Sequence, residues 1–340
     1  MTARGETSAV DEQYAARVAA EQRIYQDNVD VHDLPAIFHY WSHHYLLPLC
    51  EDCGFTSPHD FFRRHLAEAA ERCGTVLPEF VSIGAGNCDT EIAVATLLRD
   101  TGLRDFTIEC LELNRAMLDR GAEAAKAAGV AEYLRFTEAD FNTWEPAHRY
   151  HAVMASHSLH HVVNLEGLFD GVRGALHPRG AFVVSDIIGR NGHQRWPEAL
   201  ADVQRFWAEL PPEYRYNHAL KRYEERYENW DCSTEGFEGI RAQDIMPLLL
   251  ERFEFALFLG FSNVITIFTD RAFGHNFDAR RDWDRAFIDR VQAFDEQAIR
   301  AGTLTPCQMF AVLTTFEPEQ RVYARGVPPE RAVHPSLRSA

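Results

Sequence analysis

Short apolar segments alternate with helical patterns between residues 79 and 189, and this alternation constrains the fold more than any other feature of the chain. Five apolar segments of strand length, beginning with EFVSIGAG, are separated by segments of helical periodicity such as DTEIAVATLLRDTG. This pattern predicts an α/β fold, with a parallel sheet covered by helices on both faces. Right-handed crossovers would bring the carboxyl ends of the strands to one edge, where ligands bind.

Two later apolar segments, FEFALFLG and CQMFAVLTTF, are predicted to complete a mostly parallel sheet of seven strands. The other segments interrupt or flank this sheet. They are predicted to be helical, except for a mobile C-terminal tail. The predicted divisions are a helical N-terminal cap (1–75), the core (76–189), a helical lid insertion (190–245), the last core elements (246–260 and 306–317), a second insertion (261–305) and a tail (318–340).

The charge balance argues against nucleic acid as a partner. Lys and Arg total 34 against 51 Asp and Glu, a formal charge of -17, and the Arg residues form no basic stripe. No apolar run reaches the roughly 20 residues that span a bilayer, and the start, MTARGETSAVDEQ, lacks the apolar segment of a signal peptide. We therefore expect no membrane partner and a cytoplasmic location, where the seven cysteines would stay reduced.

A possible metal motif lies near the N-terminus. Cys50 and Cys53 form a CxxC pair, and His39 and His43 would lie one turn apart on a preceding helix. No second ligand pair with zinc-finger spacing follows. An aromatic-rich amphipathic helix followed by a turn explains the segment better, so no metal is predicted.

The first strand runs into the loop SIGAGNCDTE, which has two glycines one residue apart. Gly84 and Gly86 would let a ligand approach the backbone and would direct helix N–H groups at its anionic end. The third glycine of the dinucleotide fingerprint is replaced by Cys88. The loop alone leaves a dinucleotide, a smaller adenosine cofactor or no ligand open.

Acidic residues follow the next two strands. Glu112 ends TIECLE, where a carboxylate can accept hydrogen bonds from both ribose hydroxyls. Asp140 follows the third strand and could accept from an adenine amino group, while Phe141 packs on the ring. Three such features at the ends of successive strands favour an adenosine cofactor.

This order resembles that of the class I S-adenosylmethionine-dependent methyltransferases, which have a Rossmann-like fold. The resemblance covers residues 76–190 well and extends to 253–258 and 307–316. The family's loop usually begins with an acid, where this chain has Ser82; Asp89 and Glu91 are candidates to replace that acid in part. The resemblance implies S-adenosyl-L-methionine as cofactor, S-adenosyl-L-homocysteine as product, and cofactor contacts from Gly84, Ala85, Gly86, Glu112, Leu113, Asp140, Phe141 and Ser156.

In this family the protein holds an acceptor in line with the methyl group and removes a proton where the acceptor carries one. His157 and His160 follow the fourth strand, where the acceptor pocket begins, and are the predicted catalytic residues. The alternative is that they, with His161, only fix the loop. The aromatic residues of the insertions suit a small-molecule acceptor, which could be an aromatic compound or a secondary metabolite. The methylated atom could be O, N or C. His275 and Asn276 are further site candidates in the second insertion.

Two other functions remain open at this point. A NAD-dependent oxidoreductase is disfavoured by the missing third glycine, and binding of S-adenosylhomocysteine or of NADH would separate the two. A cofactor-binding partner protein without transfer activity would explain Ser82 and Cys88 as signs of decay. The sequence also leaves a homodimer open.

Overall fold

The computed structural model describes residues 14–19, 34–234 and 236–338. Its centre is a sheet of eight strands; two further short strands form a separate hairpin. The ten strands are β1 (Glu79–Ile83), β2 (Thr107–Glu112), β3 (Leu134–Glu138), β4 (Tyr150–Ser156), β5 (Leu176–Ile187), β6 (Tyr216–Asn217), β7 (Arg222–Tyr223), β8 (Glu254–Phe261), β9 (Gln308–Thr314) and β10 (Val322–Tyr323).

The strand order of the sheet is β10-β8-β9-β5-β4-β1-β2-β3. Strands β1 to β5 pair in parallel, whereas β9 lies antiparallel between β5 and β8. The order reverses between β1 and β4, which run side by side. The loops after these strands therefore lie at the switch point where α/β sheets bind ligands.

Helices cover the sheet. Their bounds are α1 (residues 14–19), α2 (Ala36–Trp41), α3 (Leu47–Asp52), α4 (Pro58–Cys73), α5 (Asp89–Asp100), α6 (Arg115–Ala128), α7 (Leu165–Ala175), α8 (Pro197–Glu209), α9 (Ala242–Arg252), α10 (Ile265–Thr269) and α11 (Asp282–Ala301). A π-helical turn, Ser42–Leu46, joins α2 to α3.

Alternating side chains of the central strands supply two separate cores. In β4, Ala152 and Met154 face one core, and Val153 and Ala155 face the other. The first core contains apolar residues of α4, α5 and α6, and the second contains those of α7 and α9. Because both faces are covered, the central strands β1 and β4 are buried at most of their positions, as expected for strands inside a parallel sheet.

The N-terminal helices and both insertions pack together as an extension of the first core. Trp207 of α8 contacts Phe268 of α10, and Phe268 contacts Phe287 of α11. From α2, the Trp41 indole donates a hydrogen bond to Gln292 of α11 at 2.6 Å. The three segments therefore form one helical layer at the side of the sheet.

Three predictions about the elements need correction. The first insertion, predicted to be helical, contains the antiparallel hairpin of β6 and β7. The sheet has eight strands rather than seven, because Val322 and Tyr323, in the predicted mobile tail, pair with β8. The helical pattern expected to run to Gly180 ends at Ala175, and β5 begins at Leu176. Pro178 accounts for this, since proline disfavours helical backbone at the residue before it.

The predicted strands β1 to β5, β8 and β9 and the predicted helices between them are present, in an α/β fold with a mostly parallel sheet. Part of the helical cap predicted for residues 1–75 lies outside the described residues; residues 14–19 of the cap are helical. The domain boundaries stay a prediction. Within the described part of the chain, no helix combines the length and apolar character needed to cross a bilayer.

Candidate functional site

The loop after β1 contains three residues with left-handed backbone. Gly84, Gly86 and Cys88 have φ values of 67°, 57° and 61°. A Cβ at Gly84 would lie 2.6 Å from the Cβ of Ser158, so this glycine lets the loops after β1 and β4 touch. At Gly86 the nearest atom, a Met117 methyl carbon, is 3.4 Å away. Gly86 is thus the loop position with room for close approach by a ligand.

Cys88 occupies a conformation that favours glycine, and a neighbouring helix makes space for its side chain. A Cβ at Gly121 of α6 would lie 2.9 Å from the Cys88 sulfur and 2.9 Å from the Asn87 carbonyl oxygen. The absent third glycine of the loop is therefore matched by a glycine on the facing helix.

Ser82 is paired with a buried carboxyl group. Its hydroxyl donates to Glu91 Oε1 at 2.6 Å, and both residues are almost fully buried. Burial raises the pKa of Glu91 to about 7, although the bond from Ser82 acts in the other direction. Glu91, in the first turn of α5, thus provides a carboxyl group beside Ser82, where the family usually has an acid in the strand. Glu91 was one of the two candidates for this replacement.

Glu112 connects the end of β2 to the glycine loop. Its Oε2 accepts from the Gly86 N–H at 3.0 Å and its Oε1 from the Asn114 N–H at 2.8 Å. Burial raises the pKa of Glu112, and the backbone donors partly offset the rise. The carboxylate is therefore held beside the glycine loop, and its contact with a ribose stays a prediction.

Asp140, after β3, is also oriented by hydrogen bonds. Its Oδ1 accepts from the Asn142 N–H at 2.9 Å, and its Oδ2 accepts from the Tyr14 hydroxyl at 2.7 Å. Asn142 donates in turn to the Tyr14 oxygen at 2.9 Å. In the same helix, Arg17 donates to the carbonyl oxygens of Ser233 and Gly236 at 3.1 and 2.6 Å. Helix α1 therefore bridges the predicted adenine end and the first insertion, a contact that no sequence pattern indicated.

The other predicted cofactor contacts lie along the same edge. The Ala85 N–H donates to the Leu111 carbonyl oxygen at 2.9 Å, and Phe141 packs 3.7 Å from the Cβ position of Gly84. Leu113 directly follows β2, and Ser156 ends β4. All four are partly exposed. Their contacts with a cofactor stay a prediction.

His157 follows β4 with a φ of 52°, unusual for a residue with a side chain. Its N–H donates to the Ser185 carbonyl oxygen at 2.7 Å. The side chain is exposed, yet burial by the surrounding protein lowers its pKa, and Asp186 opposes that change. His157 is therefore accessible from solvent at the end of β4.

His160 is buried, in contrast to His157. Its Nδ1 lies 2.6 Å from Asp186 Oδ1, and Asp186 Oδ2 accepts from the N–H groups of Ser158 and Leu159 at 2.9 and 2.8 Å. Burial would lower the pKa of His160, but the Asp186 carboxylate outweighs it and raises the pKa. The β5 residue Asp186 thus fixes the orientation of the His160 ring.

His193 and Glu238, which the sequence did not indicate as site residues, lie beside His160 and His161; these four residues form the histidine cluster. His193 Nε2 lies 2.5 Å from Glu238 Oε1, and His160 Nε2 lies 3.4 Å from the same oxygen. His161 Nε2 lies 3.4 Å from Glu238 Oε2. Burial would raise the pKa of Glu238, but the bonds from His160 and His193 lower it. His193 and Glu238 come from irregular loops of the first insertion without a spacing motif, so no sequence signal identifies them.

Asn276 and His275 have other surroundings. Asn276 donates to the carbonyl oxygens of Tyr214 and Tyr216 at 2.9 and 2.8 Å, so it connects the two insertions. His275 is exposed beside His218. Nothing in these contacts supports their assignment to the site.

The proteins with similar structures include methyltransferases with different acceptors. Geranyl diphosphate C-methyltransferase from Streptomyces coelicolor A3(2) is 10% identical, with a TM-score of 0.44, covering 88% of this chain and 98% of that one. An O-methyltransferase of a trans-AT polyketide synthase multienzyme from Brevibacillus brevis is 12% identical, with a TM-score of 0.43 and 86% of each chain covered. The CcbJ methyltransferase from Streptomyces caelestis is 21% identical, with a TM-score of 0.34, covering 43% and 54%.

A comparison with curated protein sequences gives no match. The sequence itself does match a known family, described as "Methyltransferase domain", over residues 83–184. That range begins at the end of β1 and stops within β5, so it contains the glycine loop, Glu112, Asp140 and the histidines after β4. The chain therefore contains a segment, residues 83–184, that matches a methyltransferase domain.

Proposed function

We propose that the protein transfers a methyl group from S-adenosyl-L-methionine to a hydroxyl group of a small molecule. The observation that carries the cofactor assignment is the hydrogen bond from the Gly86 N–H to Glu112, which joins the loop after β1 to the acid after β2. With Asp140 after β3, the residues present match the parts of an adenosine cofactor.

The cofactor would lie along the carboxyl ends of β1 to β3. Glu112 would accept hydrogen bonds from the ribose hydroxyls, and Asp140 would accept one from the adenine amino group. Because the Tyr14 hydroxyl already donates to Asp140, the amino group must share this carboxylate with Tyr14 or displace the hydroxyl. Gly86 leaves room for the backbone to approach the ligand. The buried Ser82–Glu91 pair supports the loop from below.

The acceptor side favours a group that carries a proton. His157 is exposed directly after β4, and the side chains of Glu238, His160, His161 and His193 lie close together. When bound, the cofactor would supply an electrophilic methyl carbon to the acceptor oxygen and would leave as S-adenosylhomocysteine. His157 takes the hydroxyl proton on a ring nitrogen and releases it to solvent. His160, held by Asp186, positions the loop.

The proposal is tested by calorimetry and a transfer assay on the same proteins. We expect S-adenosylhomocysteine to bind and NADH not to bind. Glu112→Ala should weaken S-adenosylhomocysteine binding about 10-fold or more, since a charged hydrogen-bond acceptor is lost. Glu123→Ala, an exposed carboxylate change on α6, is the matched control and should leave affinity unchanged. Equal affinity for both variants would contradict the cofactor assignment.

Transfer is measured by mass spectrometry with methyl-labelled cofactor and a panel of small hydroxylated compounds. With an accepted compound, His157→Gln should lower kcat about 100-fold or more while cofactor affinity stays the same, because only proton removal is lost. Cofactor binding without transfer to any compound would instead favour a partner protein without catalytic activity. Methylation at nitrogen or carbon alone would contradict the hydroxyl acceptor.

A further inference from the structure

Three loops that are far apart in sequence bring His160, His193 and Glu238 together. His160 lies in the turn Leu159–His161 after β4, His193 in the turn Asn191–His193 after β5, and Glu238 shortly before α9. One potential ligand atom from each residue lies within 4.8 Å of the others. We propose that these three side chains bind a divalent transition-metal ion, although the sequence had predicted no metal.

The distances among the three side chains suit this assignment. A tetrahedral ion with bonds of about 2.0–2.2 Å separates neighbouring ligand atoms by roughly 3.3–3.5 Å. His160 Nε2 and Glu238 Oε1 are 3.4 Å apart, and His193 Nε2 lies 2.5 Å from that oxygen. The His160–Glu238 distance already suits an ion, whereas the His193–Glu238 contact would have to open by about 1 Å.

The first ligand has the supporting contact that metal-binding histidines have. Asp186 Oδ1 lies 2.6 Å from His160 Nδ1, which leaves Nε2 directed at Glu238. Asp186 is itself held by three backbone N–H groups, those of Ser158, Leu159 and Ile187, and is almost fully buried. A carboxylate that fixes the far nitrogen of a ligand histidine sets the ring orientation and raises its basicity toward the metal.

The loops are also fastened to one another. The Gly192 N–H donates to the Gly239 carbonyl oxygen at 2.8 Å, and the Ile240 N–H donates to the His160 carbonyl oxygen at 3.1 Å. A Cβ at Gly239 would lie 3.1 Å from the Gly192 nitrogen and 3.2 Å from a ring carbon of His193. Glycine at position 239 therefore allows the two ligand-bearing loops to approach, and the site is built before an ion binds.

Two imidazoles and one carboxylate suit Zn²⁺, Co²⁺ or Fe²⁺ rather than Mg²⁺ or Ca²⁺, which prefer oxygen ligands. The side chains of His193 and Glu238 are 25% and 37% exposed, so a fourth coordination position can be reached from solvent. Here the inference rests on the proposed function: this position would receive the acceptor oxygen and lower the pKa of its hydroxyl. His161, 3.4 Å from the second Glu238 oxygen, is a neighbour of the site.

The test uses Zn²⁺ and Co²⁺ as probes of the full-length chain. After chelation and dialysis, we expect one equivalent of Zn²⁺ to bind, and Co²⁺ to give visible absorption typical of four- or five-coordination. His193→Ala and Glu238→Gln should weaken Zn²⁺ binding at least 100-fold. His177→Ala, which changes a histidine beside His151 at the opposite end of β5, should leave it unchanged. Equal Zn²⁺ affinity for His193→Ala and the wild type would overturn the site.

Two further measurements keep the result clear. S-Adenosylhomocysteine binding by the same variants, measured by calorimetry, shows whether they are folded and whether the cofactor site is intact. A protein that binds Zn²⁺ but no S-adenosylhomocysteine would count against the proposed function and not against the metal site. X-ray absorption of the wild-type Zn²⁺ complex should show nitrogen and oxygen neighbours with imidazole scattering. A sulfur shell would place the ion on cysteines and overturn the assignment.

Discussion

At the scale of single residues, the loop after β1 relies on a carboxyl group from outside the strand. Glu91 Oε1 is paired with Ser82, while its Oε2 is buried without a hydrogen-bond partner among the described residues. An ionised carboxylate is unfavourable under these conditions. The raised pKa of about 7 therefore means that folding favours the protonated form of Glu91.

This predicts a pH dependence of stability. The folded pKa of about 7 lies above the model-compound value of 4.5, so the folded state binds the proton more tightly. The effect is complete below pH 4.5 and is lost as pH rises to 7, a decrease of about 3 kcal/mol in the free energy of unfolding. Glu91→Gln removes this dependence, so the stability of the variant relative to wild type should increase between pH 4.5 and 8.

Urea denaturation at several pH values measures the effect. Glu123→Gln, at an exposed position of α6, is the control and should keep a constant difference from wild type. A constant difference for Glu91→Gln as well would show that Glu91 is ionised in the folded protein across this range.

The positions of the predicted cofactor residues could be inferred from the sequence more directly than those of the residues around His160. Glu112 and Asp140 end or follow regular strands, so their places at the sheet edge follow from local patterns and from the parallel topology. His193 and Glu238 lie in irregular loops whose meeting depends on how the first insertion folds back on β4. Long-range loop geometry has no periodic signature, and for the same reason the contact of Tyr14 with Asp140 was not foreseen.

At the scale of elements, the approach of α5 to α6 depends on two positions together. Cys88 precedes α5 with left-handed backbone, and its sulfur lies against the Cβ position of Gly121 in α6. In the dinucleotide fingerprint a glycine in the loop provides this close packing. Here the small residue lies on the other helix, so the missing loop glycine does not indicate decay of the site.

Gly121→Ala should therefore destabilise the protein, by about 1–3 kcal/mol, because the added methyl group overpacks the contact. Gly174→Ala in α7 is the matched control: nothing lies within 4 Å of its Cβ position, so alanine should be neutral or stabilising by up to about 1 kcal/mol. Thermal and urea unfolding measure both changes.

The double variant Cys88→Gly with Gly121→Ala tests the coupling. Removing the sulfur relieves one of the two close contacts and leaves the Asn87 carbonyl oxygen, so part of the lost stability should return. Additive effects of the two changes would refute the shared contact.

At the scale of the whole molecule, the N-terminal helices are attached to the second insertion by a shared carboxylate. The hydroxyls of Tyr40 and Tyr45 donate to Asp289 Oδ1 of α11 at 2.9 and 2.7 Å. Burial, with Asp289 adding to its effect, raises the pKa of Tyr45, so this phenol remains a donor at neutral pH. These hydrogen bonds join α2 and the π-helical turn after it to α11, which lies far away in the sequence.

Asp289→Ala should lower the free energy of unfolding by about 1.5–3 kcal/mol, since two phenols lose a charged acceptor. Asp282→Ala on the same helix is the control, because Asp282 is exposed and pairs with Arg285 one turn away. Differential scanning calorimetry compares the two variants. A decrease in stability no larger than that of Asp282→Ala would mean that apolar packing alone attaches the N-terminal helices.

Position in the sheet was harder to predict than the existence of its strands. The apolar run of β9 identified a strand, but its antiparallel place between β5 and β8 depends on pairing between segments far apart in sequence. The two-residue β10 carries no strand pattern of its own and forms because β8 offers it an edge. Neither pairing is encoded locally.

The position of β9 also affects how the protein is synthesised. Strands β1 to β5 are complete once Ile187 has left the ribosome, but their neighbour β9 begins at Gln308. At about 5–20 residues per second, the edge of β5 stays unpaired for on the order of ten seconds. An unpaired strand edge is a template for association with other chains. Slow translation between these two strands therefore prolongs exposure of the nascent chain and increases its dependence on chaperones.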